Sequence, residues 1–374
     1  MSFKLYKIKN FSFVVTGYTP STSIKENYES NDYMFIGPVD LKNNRFITGT
    51  QKYISSFAFK KSIKRVLKKG DVVVDCIGSD MGNVGIITDF CISNQQINAI
   101  TQIDAAIINN IYLYYLLSTK KSFFHQIGMN GSTMPIISKT LFENIELNIH
   151  DLNTQQHIVN TIGSVDDLIE SNNLFFEKFN EYILTQYLKI AISARKSLKL
   201  NQLIYKSGKT CKNNEWKENK IVDLSSMPSR NIVINNFSDG NLFNTNIKII
   251  DENTLLYGSI RPYFRKCGFT TGINYIAGTV HSFKTIEKKY YYWILALISS
   301  HDFHEHCNIK SQGTKMPIIN WSNFTEYDVP IPEDDDLKKF NLKIEPLYNQ
   351  IKNMMVQNRK LLEIKQLYLK KFFG

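Results

Sequence analysis

The stretch Gly-Ser-Thr-Met-Pro-Ile-Ile at residues 131–137 returns as Gly-Thr-Lys-Met-Pro-Ile-Ile at residues 313–319, 182 positions further along a chain of 374. The match extends both ways. Downstream, Phe142 aligns with Phe324, and both copies run into alternating, strand-like exits, IELNI and YDVPI. Upstream, YLLSTKKSFFHQI faces LALISSHDFHEHC with helix-like apolar spacing and Phe123 near Phe303. Further up, Gly78-Ser79 aligns with Gly258-Ser259 at an offset of 180, and beyond that only Gly17 and Thr19 resemble Gly208 and Thr210. A duplication of this size predicts two related domains that share a frame and carry different inserts. One kind of job done on two different targets fits such a chain.

Each copy leads into a long heptad pattern. Ile158, Ile162, Val165, Ile169, Asn172, Phe176, Phe179 and Ile183 follow steps of four and three. Phe340, Ile344, Leu347, Ile351, Met354, Asn358 and Leu361 do the same. This is the a/d seam of paired helices. Asn153 or Thr154 is expected to cap the first helix. Asp334, Asp335 and Asp336 suit the start of the second, where the helix dipole welcomes negative charge. Pro346 is expected to kink the second helix or delay its start, and Lys365 falls on an expected apolar position. A helix of about 38 residues spans roughly 57 Å, and a whole globular copy intervenes before the second helix begins. The helices are therefore expected to pair antiparallel, with facing positions summing to about 526. Asn172 then lies within a turn of Asn358, a buried polar pair that would fix register.

The formal charge is +11 and the isoelectric point about 9.1, which favours a polyanionic partner. No segment approaches the roughly 18 apolar residues of a membrane span, and the N-terminus lacks the long apolar stretch of a secretory signal. Nucleic acid is favoured over membrane. The five cysteines form no C-x-x-C pair, so they predict reduced thiols in a cytoplasm rather than a disulfide framework or zinc ribbon.

Taken together, GYTPST near the start, GDVVVDCIGSDMGNVGI, the two Met-Pro-Ile-Ile loops, and the exits into long helices resemble the specificity subunit of a type I DNA restriction-modification system. The resemblance spans the whole chain. It departs at the helix starts, where the family often has Glu-Gln; here Gln155-Gln156 and Leu337-Lys338 stand instead. It implies an α+β fold in which two pseudo-repeated α/β target-recognition domains, residues 1–150 and 193–332, are joined by two long antiparallel helices, residues 151–192 and 333–374, with an internal pseudo-two-fold. Each domain would read one part of a bipartite, asymmetric double-stranded DNA site. The helices would set the gap and dock two modification subunits, with restriction subunits added. The chain itself would hold no cofactor; S-adenosylmethionine, ATP and Mg would belong to those partner subunits.

Base reading needs donors and acceptors at base edges, and backbone holding needs cations. On that basis the DNA-contact candidates are Arg45, Lys52, Tyr53, Ser79, Asn130, Ser132 and Thr133 in the first copy. In the second they are Arg261, Tyr263, Arg265, Lys266, Lys310, Gln312 and Lys315. Lys60, Lys61, Lys64 and Arg65 suit a phosphate-facing or merely solvated helix face. Ser207-Gly208-Lys209-Thr210 imitates the end of a P-loop, but the first glycine position holds Leu203, so the phosphate cradle is incomplete. His304, Glu305, His306 and Cys307 read as a solvated helix end rather than a metal site. No N-P-P-[FY] or D-P-P-[FY] stretch and no Rossmann glycine signature is present, which argues against a stand-alone DNA methyltransferase. A structural protein assembling through its coiled coil is the other alternative.

Overall fold

In each copy the first strand pairs with the last. Phe3–Lys7 lies antiparallel to Glu146–His150, and Lys196–Lys199 lies antiparallel to Asp328–Ile331. The exit strand then hands the chain to a 40-residue helix, Leu152–Ala191 in the first copy and Asp334–Phe373 in the second. The computed structural model describes residues 3–42, 45–129, 135–212, 214–244, 246–273 and 275–374. Its contacts separate two units, Met1–Asp166 with Ile364–Gly374, and Asp167–Glu363. Each unit takes in one globular copy and a stretch of both long helices.

The duplication is visible in the main sheets. The first unit orders its strands Phe13–Thr16, Ile97–Thr101, Val72–Asp75, Val84–Ile87 and Phe46–Ile47. The second orders Ile204–Lys206, Val280–Thr285, Leu255–Gly258 and Cys267–Phe269. The first four strands correspond one to one, all antiparallel to their neighbours. Behind each sheet lies an apolar helix, Asn110–Ser118 or Tyr291–Ser299, buried over most of its surface. A helix apolar nearly all round belongs in a core. The second sheets differ: three strands in the first unit, five in the second. Shared frame and divergent insert are thus separate layers.

The equivalences correct two sequence alignments. Phe124, not the half-exposed Phe123, is the buried counterpart of Phe303. Phe124 packs on Phe142 with ring centroids 6.2 Å apart, as Phe303 packs on Phe324 at 5.2 Å. The turn after the third sheet strand aligns at an offset of 183, not 180. Asp75 N–H donates to Asn83 O, as Gly258 N–H donates to Lys266 O; Gly78 N–H donates to Pro135 O, as Arg261 N–H donates to Pro317 O.

Within each unit the two long helices run antiparallel. In the first, His157 packs on Phe372 and Asp166 pairs with Lys365 at 2.7 Å. In the second, Asn172 Nδ2 donates to Asn358 Oδ1 at 2.8 Å, and Asn358 Nδ2 donates to Asn173 Oδ1 at 3.0 Å. Both asparagines are buried. The expected asparagine pairing is present, with facing positions summing to about 530, one helical turn from the expected register.

The buried stripe follows a straight helix rather than a strict heptad. Ile158, Ile162, Ile169, Asn172, Phe176, Phe179, Ile183 and Ile344 and Ile351 are buried as expected, but Asp166 replaces Val165, and Tyr348 and Met355 replace Leu347 and Met354. Leu361 is half-buried. An α-helix drifts about 20° per heptad from a 3.5-residue repeat, and here both helices also pack into the core of each unit. Tyr187 and Phe340 sandwich the fully buried Trp293, at 4.5 and 5.3 Å between centroids. Burying one such ring contributes about 1.5–3 kcal/mol.

Two helix-end expectations change. Asp151, not Asn153 or Thr154, caps the first helix, its carboxylate accepting from the N–H groups of both. Pro346 does not delay the second helix, which starts at Asp334 with the three aspartates in its first turn. The lost hydrogen bond falls on the exposed side, at Leu342, where water can replace it.

Replacing Asn172 and Asn358 together with leucine should raise the melting temperature and broaden the distance distribution between spin labels at Leu174 and Val356. Unchanged distances with lower stability would refute a register role. Either single replacement strands one buried amide and should cost about 1–3 kcal/mol.

Candidate nucleic-acid interface

The turn between the third and fourth sheet strands projects differently chosen residues from a backbone that is left-handed at the same two positions. In the first unit it is Gly78-Ser79-Asp80-Met81-Gly82. Both glycines are left-handed, at φ +104° and +92°. Ser79 and Asp80 are exposed. Lys121 and Lys42 clasp the Asp80 carboxylate at 2.7 and 2.6 Å. Hydrogen bonds from Lys121 and then Lys42 pull its pKa down to about 2. Neither lysine carries a local signal in the sequence, because each lies some 40 residues from its partner.

In the second unit the same turn is Arg261-Pro262-Tyr263-Phe264-Arg265. Arg261 and Arg265 occupy the two left-handed positions, both at φ +52°. Tyr263 and Phe264 are exposed at 49% and 43%. Arg265 reaches Glu305 only at 4.0 Å. The Arg261 Nε is buried without a hydrogen-bond partner. Lys266 donates to Leu224 O, and burial lowers its pKa. Beside this turn, Gln312 and Ile318 exchange both backbone hydrogen bonds, with Gly313 at φ +100° closing the loop. Gln312 and Lys315 are exposed, whereas Lys310 is paired with Glu326 at 3.3 Å. The structure thus brings Arg261, Tyr263, Arg265 and Lys266 together on one turn, against the Gln312–Ile318 loop through the Ile260–Ile318 bridge.

The first-unit candidates are more scattered. Lys52 is exposed and Tyr53 half-buried on the strand Lys52–Ile54 of the second sheet. Asn130, Ser132 and Thr133 lie outside the described residues. Arg45 was expected at the DNA but is only 6% exposed. Its guanidinium donates to the Tyr115 hydroxyl at 3.1 Å, and Tyr115 donates to Asp166 at 2.8 Å. Burial raises the Tyr115 pKa, so the phenol stays a donor. Asp166 in turn holds Lys365, which explains the charge on the helix stripe. Arg45 ties its domain to the helices, a role that an exposed basic stretch in sequence does not reveal. Nearby, Ser55 caps the helix Ser56–Lys61. Lys60, Lys61, Lys64 and Arg65 are exposed along it and the following turn, with Lys61 over the Phe57 ring at 4.0 Å and Arg65 over Tyr18 at 5.1 Å.

The dense histidine cluster is not a solvated helix end. His304 and Cys307 are buried, with His304 Nδ1 sharing a hydrogen bond with the Tyr257 hydroxyl at 3.0 Å. Burial pushes His304 down to about 3 and His281 to about 4, so both are neutral at physiological pH. Lys209–Thr210 forms a strand rather than a helix start, which removes the P-loop imitation. Among the described residues no group of three or more His, Cys, Asp or Glu is arranged to hold a metal, and no helix is long and apolar enough to cross a membrane.

Residues 2–174 match the family described as the type I restriction modification DNA specificity domain. The chain is 26% identical over 416 residues to the type I restriction enzyme MjaIX specificity subunit of Methanocaldococcus jannaschii, across 98% of this chain and 92% of that protein. A shorter stretch is 28% identical to the HindI specificity subunit of Haemophilus influenzae, across 36% of this chain and 29% of that one. The crystal structure of a type I restriction-modification S subunit from M. genitalium shares the fold, with a TM-score of 0.57 at 14% identity, covering all of this chain and 96% of that one. The resemblance read from the repeated loops and helix entries is borne out.

Two stability tests follow. Lys365→Met leaves Asp166 buried without its cation and should cost about 3–5 kcal/mol in chemical denaturation. Asp75, buried at the foot of the first turn, has its pKa pushed up to about 6 by burial. A raised native pKa contributes stability that is full below the unfolded value of 3.8 and lost as pH rises through about 6. Asp75→Asn should therefore stabilise by on the order of 1 kcal/mol at pH 8 and little at pH 4. Equal gains at both pH values would refute the ionisation argument.

Proposed function

We propose that this chain, whose residues 2–174 belong to the type I restriction modification DNA specificity family, reads a bipartite DNA site through its two units. It is a specificity subunit, and its own part in the reaction is recognition. Each unit reads one half of an asymmetric sequence. The two long helices set the gap between the halves and dock two modification subunits. Restriction subunits join the same assembly. S-adenosylmethionine for adenine methylation, and ATP and Mg for translocation and cleavage, are held by those partners. The cytoplasm is its compartment.

The observation that carries this reading is the duplicated unit with one frame and two different faces. The main sheets share strand order, and the turns share backbone hydrogen bonds. The second sheets and the turn side chains differ. A symmetric reader would need two like faces to meet a palindrome, whereas unlike faces suit a non-palindromic split site. The charge of +11 supplies sequence-independent attraction to phosphate.

Single-molecule mapping of adenine methylation, in host DNA with and without this gene, tests the proposal. One split motif should disappear on deletion and return on complementation. If the purified assembly bearing this chain methylates DNA without a bipartite preference, the reading fails. Salt-insensitive self-association without DNA preference would favour an assembly protein instead.

A further inference from the structure

The two equivalent turns offer a comparison within one molecule. Their backbones share several hydrogen bonds, though they part at the last position, where Gly82 N–H donates to Asp75 O and Arg265 N–H to Pro262 O. Ile137 N–H donates to Cys76 O at 2.9 Å, as Ile319 N–H donates to Ser259 O at 2.9 Å. Met81 N–H donates to Gly78 O, as Phe264 N–H donates to Arg261 O. Ile77 bridges Ile136, as Ile260 bridges Ile318. Both turns place a left-handed residue at the first and last of five positions.

The first unit fills those positions with glycine, the residue that adopts them without a steric penalty. The second fills both with arginine. Left-handed backbone costs an L-residue roughly 1–2 kcal/mol, so two arginines here are retained against a cheaper choice the same chain makes elsewhere. Lack of room does not explain the glycine at the first position, since a Cβ added to Gly78 would meet nothing within 4 Å. Such strain concentrates where a side chain has work to do.

The surroundings of the two turns differ, and both arginines are half-buried. In the first turn the one charged side chain, Asp80, is already held by two lysines. In the second, no carboxylate pairs with Arg261 among the described residues, its Nε lacks any acceptor, and Arg265 only grazes Glu305. Guanidinium is a planar fork that matches the O6 and N7 acceptors of guanine in the major groove. The exposed Tyr263 and Phe264 between the arginines offer apolar contact to neighbouring bases.

We propose that the turn Arg261–Lys266 is the guanine-reading element of the second unit, with Arg261 and Arg265 presented to base edges by their left-handed backbone. The equivalent turn of the first unit reads no guanine. This inference rests on the DNA-reading role proposed above and deepens it.

The test uses the glycines that the first unit already employs. Arg261→Gly and Arg265→Gly, singly in the full chain with its modification subunits, relieve backbone strain while removing the side chain. The melting temperature should hold or rise. In methylation mapping, a guanine position in one half of the split motif should become degenerate, losing about fivefold or more of its preference, while the other half stays unchanged. Arg265→Lys, which keeps the charge but not the fork, should relax the same position as Arg265→Gly. An unchanged motif in every variant would overturn the proposal. Lost methylation with a lowered melting temperature would also overturn it, by making the arginines structural. A wild-type assembly with no bipartite motif would instead refute the underlying DNA-reading role.

Discussion

The polar pairs buried between the two long helices constrain everything built on them. An apolar seam alone tolerates sliding, because a shift by one heptad buries nearly the same surface. Asp166 with Lys365, and Asn172 with Asn358, do not tolerate it. Any other register strands a charge or an amide, at about 1–3 kcal/mol for a neutral group and more for an ion. The same stretches key the domains to the helices. Arg45 reaches the Tyr115–Asp166 pair in the first unit, and Arg359 donates from its helix to Thr271 O at 2.6 Å in the second. Within each unit these polar keys fix how the two helices pair, in a way apolar contacts cannot.

Separation of frame from insert follows from where the cores lie. The main sheet of each unit packs its buried helix and the long helices into one core, including Trp293 against Tyr187 and Phe340. The second sheet of the second unit carries a small core of its own around Trp216 and Ile221, while its Val222 and Ile276 pack with Leu256 and Val280 of the main sheet. The residues around Trp216 are separate from the large core. A chain organised this way can exchange what it recognises without losing what holds it together.

Much of this was legible in the residues. The repeated loop, the helix entries, the asparagine pair and the acidic helix start all carry local signals. What was missed depended on backbone conformation or on distant partners. Identity of Gly-Ser suggested an offset of 180, yet the conserved quantity was the left-handed backbone at 183, held by glycine in one turn and arginine in the other. A 3.5-residue template placed Leu347 and Met354 where a straight helix places Tyr348 and Met355. Arg45 and His304 read as surface residues because Tyr115 and Tyr257, their hydrogen-bond partners, lie 70 and 47 residues away.

Charge pairing bears on how the proposed DNA reader would achieve specificity. Many of its exposed cations are tempered by neighbours: Lys42 and Lys121 by Asp80, Lys199 by Asp328, Lys310 by Glu326. Each surface pair contributes little stability, but each lowers the local field that would hold nonspecific DNA. For a two-part reader, that restraint is useful. Once one unit has docked, the second binds intramolecularly at high effective concentration, and avidity multiplies the two weak affinities. If either unit held phosphate strongly by itself, half-sites would compete with complete ones and the gap would lose its meaning. In the proposed two-part reader, weak halves would make the conjunction of both sequences, rather than either alone, the thing that is recognised.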